Sequence, residues 1–192
     1  MDIDMLKPLW LMLLTPPLIA GCISTSTNRP APAELRPLID TIGQRLDIAN
    51  DVALSKFYSG KPVQDSDRER QVIANAEAQA SLYKLDQDDV RQFMTAQIEA
   101  NKTVQYARIE QWHANGKAPG QPNAGLMTAI RTRLDHLQPL MMERFVAFQP
   151  WRNDSDCQGW VSGEIEHTTT DATMAKALQQ ATETLCMAQA KN

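Results

Sequence analysis

Apolar residues recur at three- and four-residue intervals along most of this chain, the spacing of helices with one buried face. From Ala33 onward, Leu35, Leu38, Ile39, Ile42, Leu46, Ala49, Val52 and Ala53 form one stripe, which predicts a helix of about six turns. The elbow Ser59-Gly60-Lys61-Pro62 ends it, because glycine accepts a left-handed cap and proline cannot continue the hydrogen-bond ladder. Asp65 or Ser66 caps a second helix, about Ser66 to Tyr83, with Glu69 placed to close a capping box on Ser66. Its buried set is Val72, Ile73, Ala76, Ala80 and Leu82. A third helix, about Gln87 to His113, starts on an Asp86 cap and packs through Val90, Phe93, Met94, Ile98, Val104, Ile109 and Trp112. Residues 115–123 read as a loop. A fourth helix, about Leu126 to Phe148, presents Leu126, Ile130, Leu134, Leu137, Leu140, Met141 and Phe145. An irregular piece from Gln149 to Glu166 then leads to a fifth helix, about Asp171 to Ala190, which carries Cys186.

Glycines are few and β-branched runs short, so the expected class is all-α, a single domain of long antiparallel helices. The formal charge of -4, without any Lys/Arg block, argues against a nucleic-acid partner. His113, His136 and His167 are too dispersed for a metal motif, and no nucleophile elbow or phosphate loop is present.

The start of the chain reads differently from the rest. Leu9 to Ala20 is an apolar run behind Lys7, interrupted by Pro16 and Pro17: too short for a permanent span, but the right size for a signal-peptide core. Residues 1–21 are therefore expected to be an export segment. Ile19-Ala20-Gly21-Cys22 resembles the lipoprotein signal, in which the cysteine is lipidated and becomes the mature N-terminus. Residues 22–33 read as a flexible tether to a domain spanning 34–192. Such a leader implies a periplasmic or secreted protein, attached to a membrane only through a lipid on Cys22. The remaining cysteines, Cys157 and Cys186, are an even pair in an oxidising compartment, which favours a disulfide pinning the last helix to the segment before it.

The charged positions change the picture most. Arg45 and Lys56 are eleven residues apart, three helical turns plus about 20°, so both leave the same face roughly 16 Å apart, with Ala49 and Val52 between them. Two cations bracketing apolar residues can form the wall of an anion pocket. Arg68 falls in the first turn of the next helix, able to converge on the same point. On the third helix Gln97, Asn101 and Gln105 fall at i, i+4 and i+8, followed by Arg108, a neutral hydrogen-bonding strip. Arg131 and Arg133 lie early in the fourth helix. An ordinary helical hairpin with solvated charges and amides accounts for each of these pieces taken singly.

Taken together, Arg45, Lys56, Asp65, Arg68 and Glu69, followed by QIEANKTVQ from 97 to 105, closely resemble the all-helical chorismate mutases, the AroQ class, and in particular its exported gamma subclass. The likeness covers about Leu35 to Phe148, with residues 34–114 carrying most of the site, and reaches the tail only through the cysteine pair. It implies the type II chorismate mutase fold and the conversion of chorismate to prephenate by an intramolecular Claisen rearrangement, with no cofactor and no metal. It also implies a homodimer whose subunits each hold a complete site.

By residue, the resemblance implies that Arg45 holds one substrate carboxylate and that Arg68 engages the substrate near its carboxylate and ring. Lys56 donates to the ether oxygen and a carboxylate, and Gln105 is the second donor to that oxygen. Glu69 accepts from the ring hydroxyl, Asp65 positions that end of the pocket, and Asn101 lines it. Arg131 is the expected helix-four arginine, with Arg133 the runner-up. Two other readings fit the same residues: a non-catalytic helical anion-binding lipoprotein module, and a different chorismate-using enzyme with Glu69 as acid or base. Product identity separates them.

Overall fold

A computed structural model describes residues 29–187, and no strand occurs among them. The expected signal segment, Cys22, the first part of the tether and the last residues of the expected fifth helix lie outside that range.

Among the described residues six α-helices follow one another: α1 Leu35–Ser59, α2 Ser66–Gln79, α3 Gln87–Ala114, α4 Leu126–Phe148, α5 Cys157–Thr168 and α6 Ala172–Ala181. The stripe on α1 buries Leu35, Leu38, Ile39, Ile42, Leu46 and Ala49 completely, and the helix stops at Gly60 in the left-handed conformation, φ 67°. Asp65 caps α2 through its carboxylate on the Arg68 N–H, and Glu69 closes the box on the backbone N–H of Asp65 rather than that of Ser66. Asp86 caps α3 as the sequence suggests.

Side-chain contacts fix the helix directions. Asn101 meets Arg45, Arg108 meets Asn50 and Trp112 meets Phe57, so α1 and α3 run side by side in the same direction. Arg133 meets Asp51 and Arg144 reaches the Pro37 carbonyl, so α4 runs against α1. Lys102 with Glu69 and Arg91 with Glu77 set α2 against α3. The main core lies between these layers, with Phe93 of α3 stacked on Phe145 of α4 at 4.2 Å and 4°. A smaller cluster of Ile48, Ile130 and Leu137 joins α1 to the first half of α4.

Several expectations need correction. The second helix tightens to a 3₁₀ turn at Ala80–Tyr83, which changes the rotation per residue and leaves Leu82 78% exposed instead of buried. The supposedly irregular piece after α4 contains a full helix, α5, whose Cys157, Trp160, Val161 and Ile165 are buried at helical spacing. The last helix ends at Ala181, and Cys186 sits in the turn that follows. The ending has identifiable partners. Gln97 takes the Ala181 carbonyl at 2.7 Å, and the Arg152 guanidinium takes those of Thr184 and Leu185, both at 2.9 Å. These side chains satisfy carbonyls that the end of the helix leaves without an intrahelical donor. The disulfide between Cys157 and Cys186 is present, with Cα atoms 5.8 Å apart. Within the described part of the expected tether, Arg29 pairs with Asp154 and Asp156, lies over the Trp160 ring, and its carbonyl accepts from the indole N–H at 2.7 Å.

Candidate active site

A cavity of about 950 Å³ opens between α1, α2, α3 and the first half of α4. Its α1 wall follows the helical period through Arg45, Ile48, Val52, Lys56 and Ser59. The two cations bracket Ile48 and Val52. Ala49 points into the main core, one residue off the expected face. The elbow after α1 brings Val63 back against the wall, where its carbonyl accepts from Lys56 Nζ at 2.6 Å. Capping of α2 by Asp65 then sets Arg68 and Glu69 at the rim.

From α3 come Ile98, Asn101, Lys102 and Gln105, and from α4 Met127, Ile130, Arg131, Leu134, Asp135 and Gln138. Every site residue expected from the sequence therefore borders one cavity: Arg45, Lys56, Asp65, Arg68, Glu69, Asn101, Gln105 and Arg131. Two positions of the expected polar strip, Gln97 and the Arg108 that follows it, do not. Gln97 turns away to the end of α6, and Arg108 binds Asn50 and Asp171. Arg133 is committed to Asp51 at 2.8 Å.

The cavity is cationic. Six bases line it, Arg45, Lys56, Lys61, Arg68, Lys102 and Arg131, against three acids, Asp65, Glu69 and Asp135. Among the described residues only Lys102 of these six is ion-paired, to Glu69 at 3.1 Å and Glu99 at 2.7 Å. Arg45 is 8% exposed, its Nε has no hydrogen-bond partner among the described residues, and burial brings its guanidinium down to about 10. It remains charged at neutral pH. An unpaired buried cation is costly, and an anion would offset that cost. The Lys56 ammonium is also lowered, first by desolvation and then by the charge of Lys102, against the opposing pull of Asp65 and Glu69. For Lys102, desolvation is the largest influence and lowers it, but the hydrogen bonds and charges of Glu99 and Glu69 outweigh it, and the net shift is upward.

The amides are ordered in series. Asn101 donates to the Arg45 carbonyl at 3.4 Å and accepts from Gln105 Nε2 at 2.7 Å. Gln105 is 4% exposed and keeps a second N–H, since an amide nitrogen carries two hydrogens. Its Oε1 is buried without a partner among the described residues. Such a set of cations and neutral donors can hold a small dianion and stabilise charge growing on an oxygen between Lys56 and Gln105.

Sequence reasoning missed Lys102, Ile48 and Gln138. For Lys102 a signal exists: it follows Ile98 by four residues and precedes Gln105 by three, on the same face.

Comparison with known proteins agrees with the geometry. The profile of the family described as chorismate mutase type II matches residues 36–106. The secreted chorismate mutase of Mycolicibacterium smegmatis is 29% identical over 172 residues, 88% of this chain and 94% of that protein. The crystal structure of chorismate mutase from Burkholderia phymatum is 38% identical and superposes with a TM-score of 0.76 over 81% of this chain and 97% of its own. That from Burkholderia thailandensis is 29% identical, with the same TM-score, over 81% of this chain and 100% of its own. With its helices, its cavity and these relatives in agreement, the chain belongs to the type II chorismate mutase family.

Proposed function

We propose that this protein rearranges chorismate to prephenate, and that it does so by holding a folded dianion and stabilising the charge that develops on its ether oxygen. The observation that carries this reading is that Arg45, Lys56, Arg68 and Arg131 all border one cavity with no acid partner among the described residues, beside a hydrogen-bonded Asn101–Gln105 pair. In the rearrangement one C–O bond breaks and one C–C bond forms within the same molecule. No nucleophile and no proton transfer are required, so positioning and electrostatics supply the catalysis.

In this reading Arg45 and Arg131 hold carboxylates, and Arg68 holds the substrate near a carboxylate and the ring. Lys56 and the second N–H of Gln105 donate to the breaking ether oxygen. Glu69 accepts from the ring hydroxyl, Asp65 positions that end, and Asn101 orients Gln105. The decisive measurement is incubation of the purified protein with chorismate, following its disappearance and identifying the product by proton NMR, because substrate and product are isomers of equal mass. Prephenate is the expected product. No turnover would return the protein to an anion-binding role, and a different product would assign another chorismate enzyme.

We also infer that the chain is exported. The apolar leader, the Cys157–Cys186 disulfide and the name of its mycobacterial relative, secreted chorismate mutase, support this. Intact mass of the protein recovered from cells tests it: loss of residues 1–21 is expected, and a diacylglyceryl increment on Cys22 separates lipoprotein processing from ordinary cleavage. Retention of the full leader would overturn the inference.

A further inference from the structure

Among the described residues, Lys102 is the one cavity cation whose charge is already spoken for. It lies on α3 between Asn101 and Gln105 and is only 9% exposed, where an apolar side chain would pack without desolvation cost. Its ammonium spends two of three hydrogens on carboxylates: Glu69 Oε2 at 3.1 Å, inside the cavity rim, and the half-exposed Glu99 at 2.7 Å, one turn back on its own helix. The other oxygen of Glu69 accepts from the backbone N–H of Asp65 at 3.1 Å. Glu69 is thereby held from both ends, by the α2 cap on one side and by α3 on the other. Each carboxylate oxygen can accept twice, so this clamp leaves acceptor sites free in a defined direction.

We propose that Lys102 is a positioning residue for the rearrangement: through its ion pair it fixes Glu69 so that the free acceptor sites of that carboxylate meet the ring hydroxyl of the substrate. This rests on the role given to Glu69 in the proposed function. Lys102 acts through Glu69 and not on a substrate carboxylate, because the neighbouring Arg45, Arg68 and Arg131 have no acid partner among the described residues whereas Lys102 is bound to two. Glu99 in turn is the outer anchor, keeping the lysine from swinging into the cavity. Buried pairs of this kind are retained at a cost in stability, and a geometric task at the site accounts for the cost here.

The test is a double-mutant cycle on chorismate turnover, using wild type, Lys102→Met, Glu69→Gln and the double variant, with Lys102→Arg as the conservative control and circular dichroism to establish folding. Lys102→Met is expected to lower kcat/KM by about tenfold, Lys102→Arg to restore most of it, and Lys102→Met to cost less than about twofold more once Glu69 is already glutamine. If Lys102→Met folds poorly, Lys102→Gln, which keeps a similar length and polarity, must show the same dependence on Glu69. Equal losses on both backgrounds would make Lys102 a direct substrate contact and overturn the proposal. So would wild-type kinetics in a folded Lys102→Met protein. A wild type that makes no prephenate is a different result, since it removes the proposed function itself.

Discussion

Arg131 and Arg133 lie two residues apart on α4, and only Arg131 reaches the cavity; Arg133 is bound across the helix pair to Asp51 at 2.8 Å. Two residues are about 200° of rotation, which sends the side chains to opposite sides. Arg131→Ala should lower kcat/KM by about 2 kcal/mol, roughly thirtyfold, as expected for a lost charged hydrogen bond. Arg133→Ala should change stability by no more than about 1 kcal/mol, because its ion pair is solvent-exposed, and leave turnover within about twofold of wild type. Steady-state kinetics on the two variants decide between them, and a reversed order would reassign the arginine.

Lys56 should matter to kcat far more than to KM. A charged donor on the breaking ether oxygen is worth about 3 kcal/mol or more, and Lys56→Ala should lose that in turnover. Because desolvation lowers the Lys56 ammonium, activity should fall on the alkaline side before an exposed lysine would titrate. A pH–rate profile checks the direction, and wild-type turnover in folded Lys56→Ala would remove Lys56 from the chemistry.

Arg45 is held charged in a buried position against its own preference, so removing the charge should stabilise the fold. Its folded value, about 10, lies below that of an exposed arginine. A depressed base of this kind penalises the folded state fully at all pH below the folded value, and the penalty relaxes as the pH rises from there towards the unfolded value. Arg45→Met should therefore melt higher than wild type at neutral pH while losing turnover. The gap should stay flat across the neutral range and close above about pH 10. Melting curves over pH test this, and a lower midpoint for Arg45→Met at neutral pH would contradict it.

The Cys157–Cys186 bond closes a loop of 29 residues, for which chain-entropy arguments give about 3–4 kcal/mol. Cys157→Ser should lower the melting temperature without reducing specific activity in the folded fraction, because neither cysteine borders the cavity. Loss of activity in a fully folded Cys157→Ser protein would show that the C-terminal segment acts on the site.

The site was readable where one helix decides the geometry. Arg45 and Lys56 share a face because a single period runs through all of α1, and the Gly60 stop is local chemistry. Asn101 and Gln105 follow the same logic on α3. What escaped depends on partners distant in the chain. Nothing near Lys102 announces that its charge is met by Glu69 of another helix. The end of α6 is drawn by Gln97 and Arg152, and within the last helix the pattern alone continues past Ala181. Gly159 and Gly163 disguise α5, whose helix is held by burial of Trp160, Val161 and Ile165. The one-residue error on α1, Ala49 for Ile48, shows the limit of periodicity: it identifies a buried stripe, but which edge of the stripe meets the cavity depends on where α4 docks.

Because α1 and α3 run in the same direction, α2 must lie between them in the chain and return the polypeptide before Asn101 and Gln105 can reach Arg45, and α4 must dock before Arg131 can. The hairpin of α1 and α2 alone can bring Lys56 to the Val63 carbonyl, but it leaves open the sides of the cavity that Asn101, Gln105 and Arg131 close. Long-range docking of this sort comes later in folding than helix formation. On refolding, helical signal should therefore recover before catalysis does, and the lag between them would time the arrival of α3 and α4.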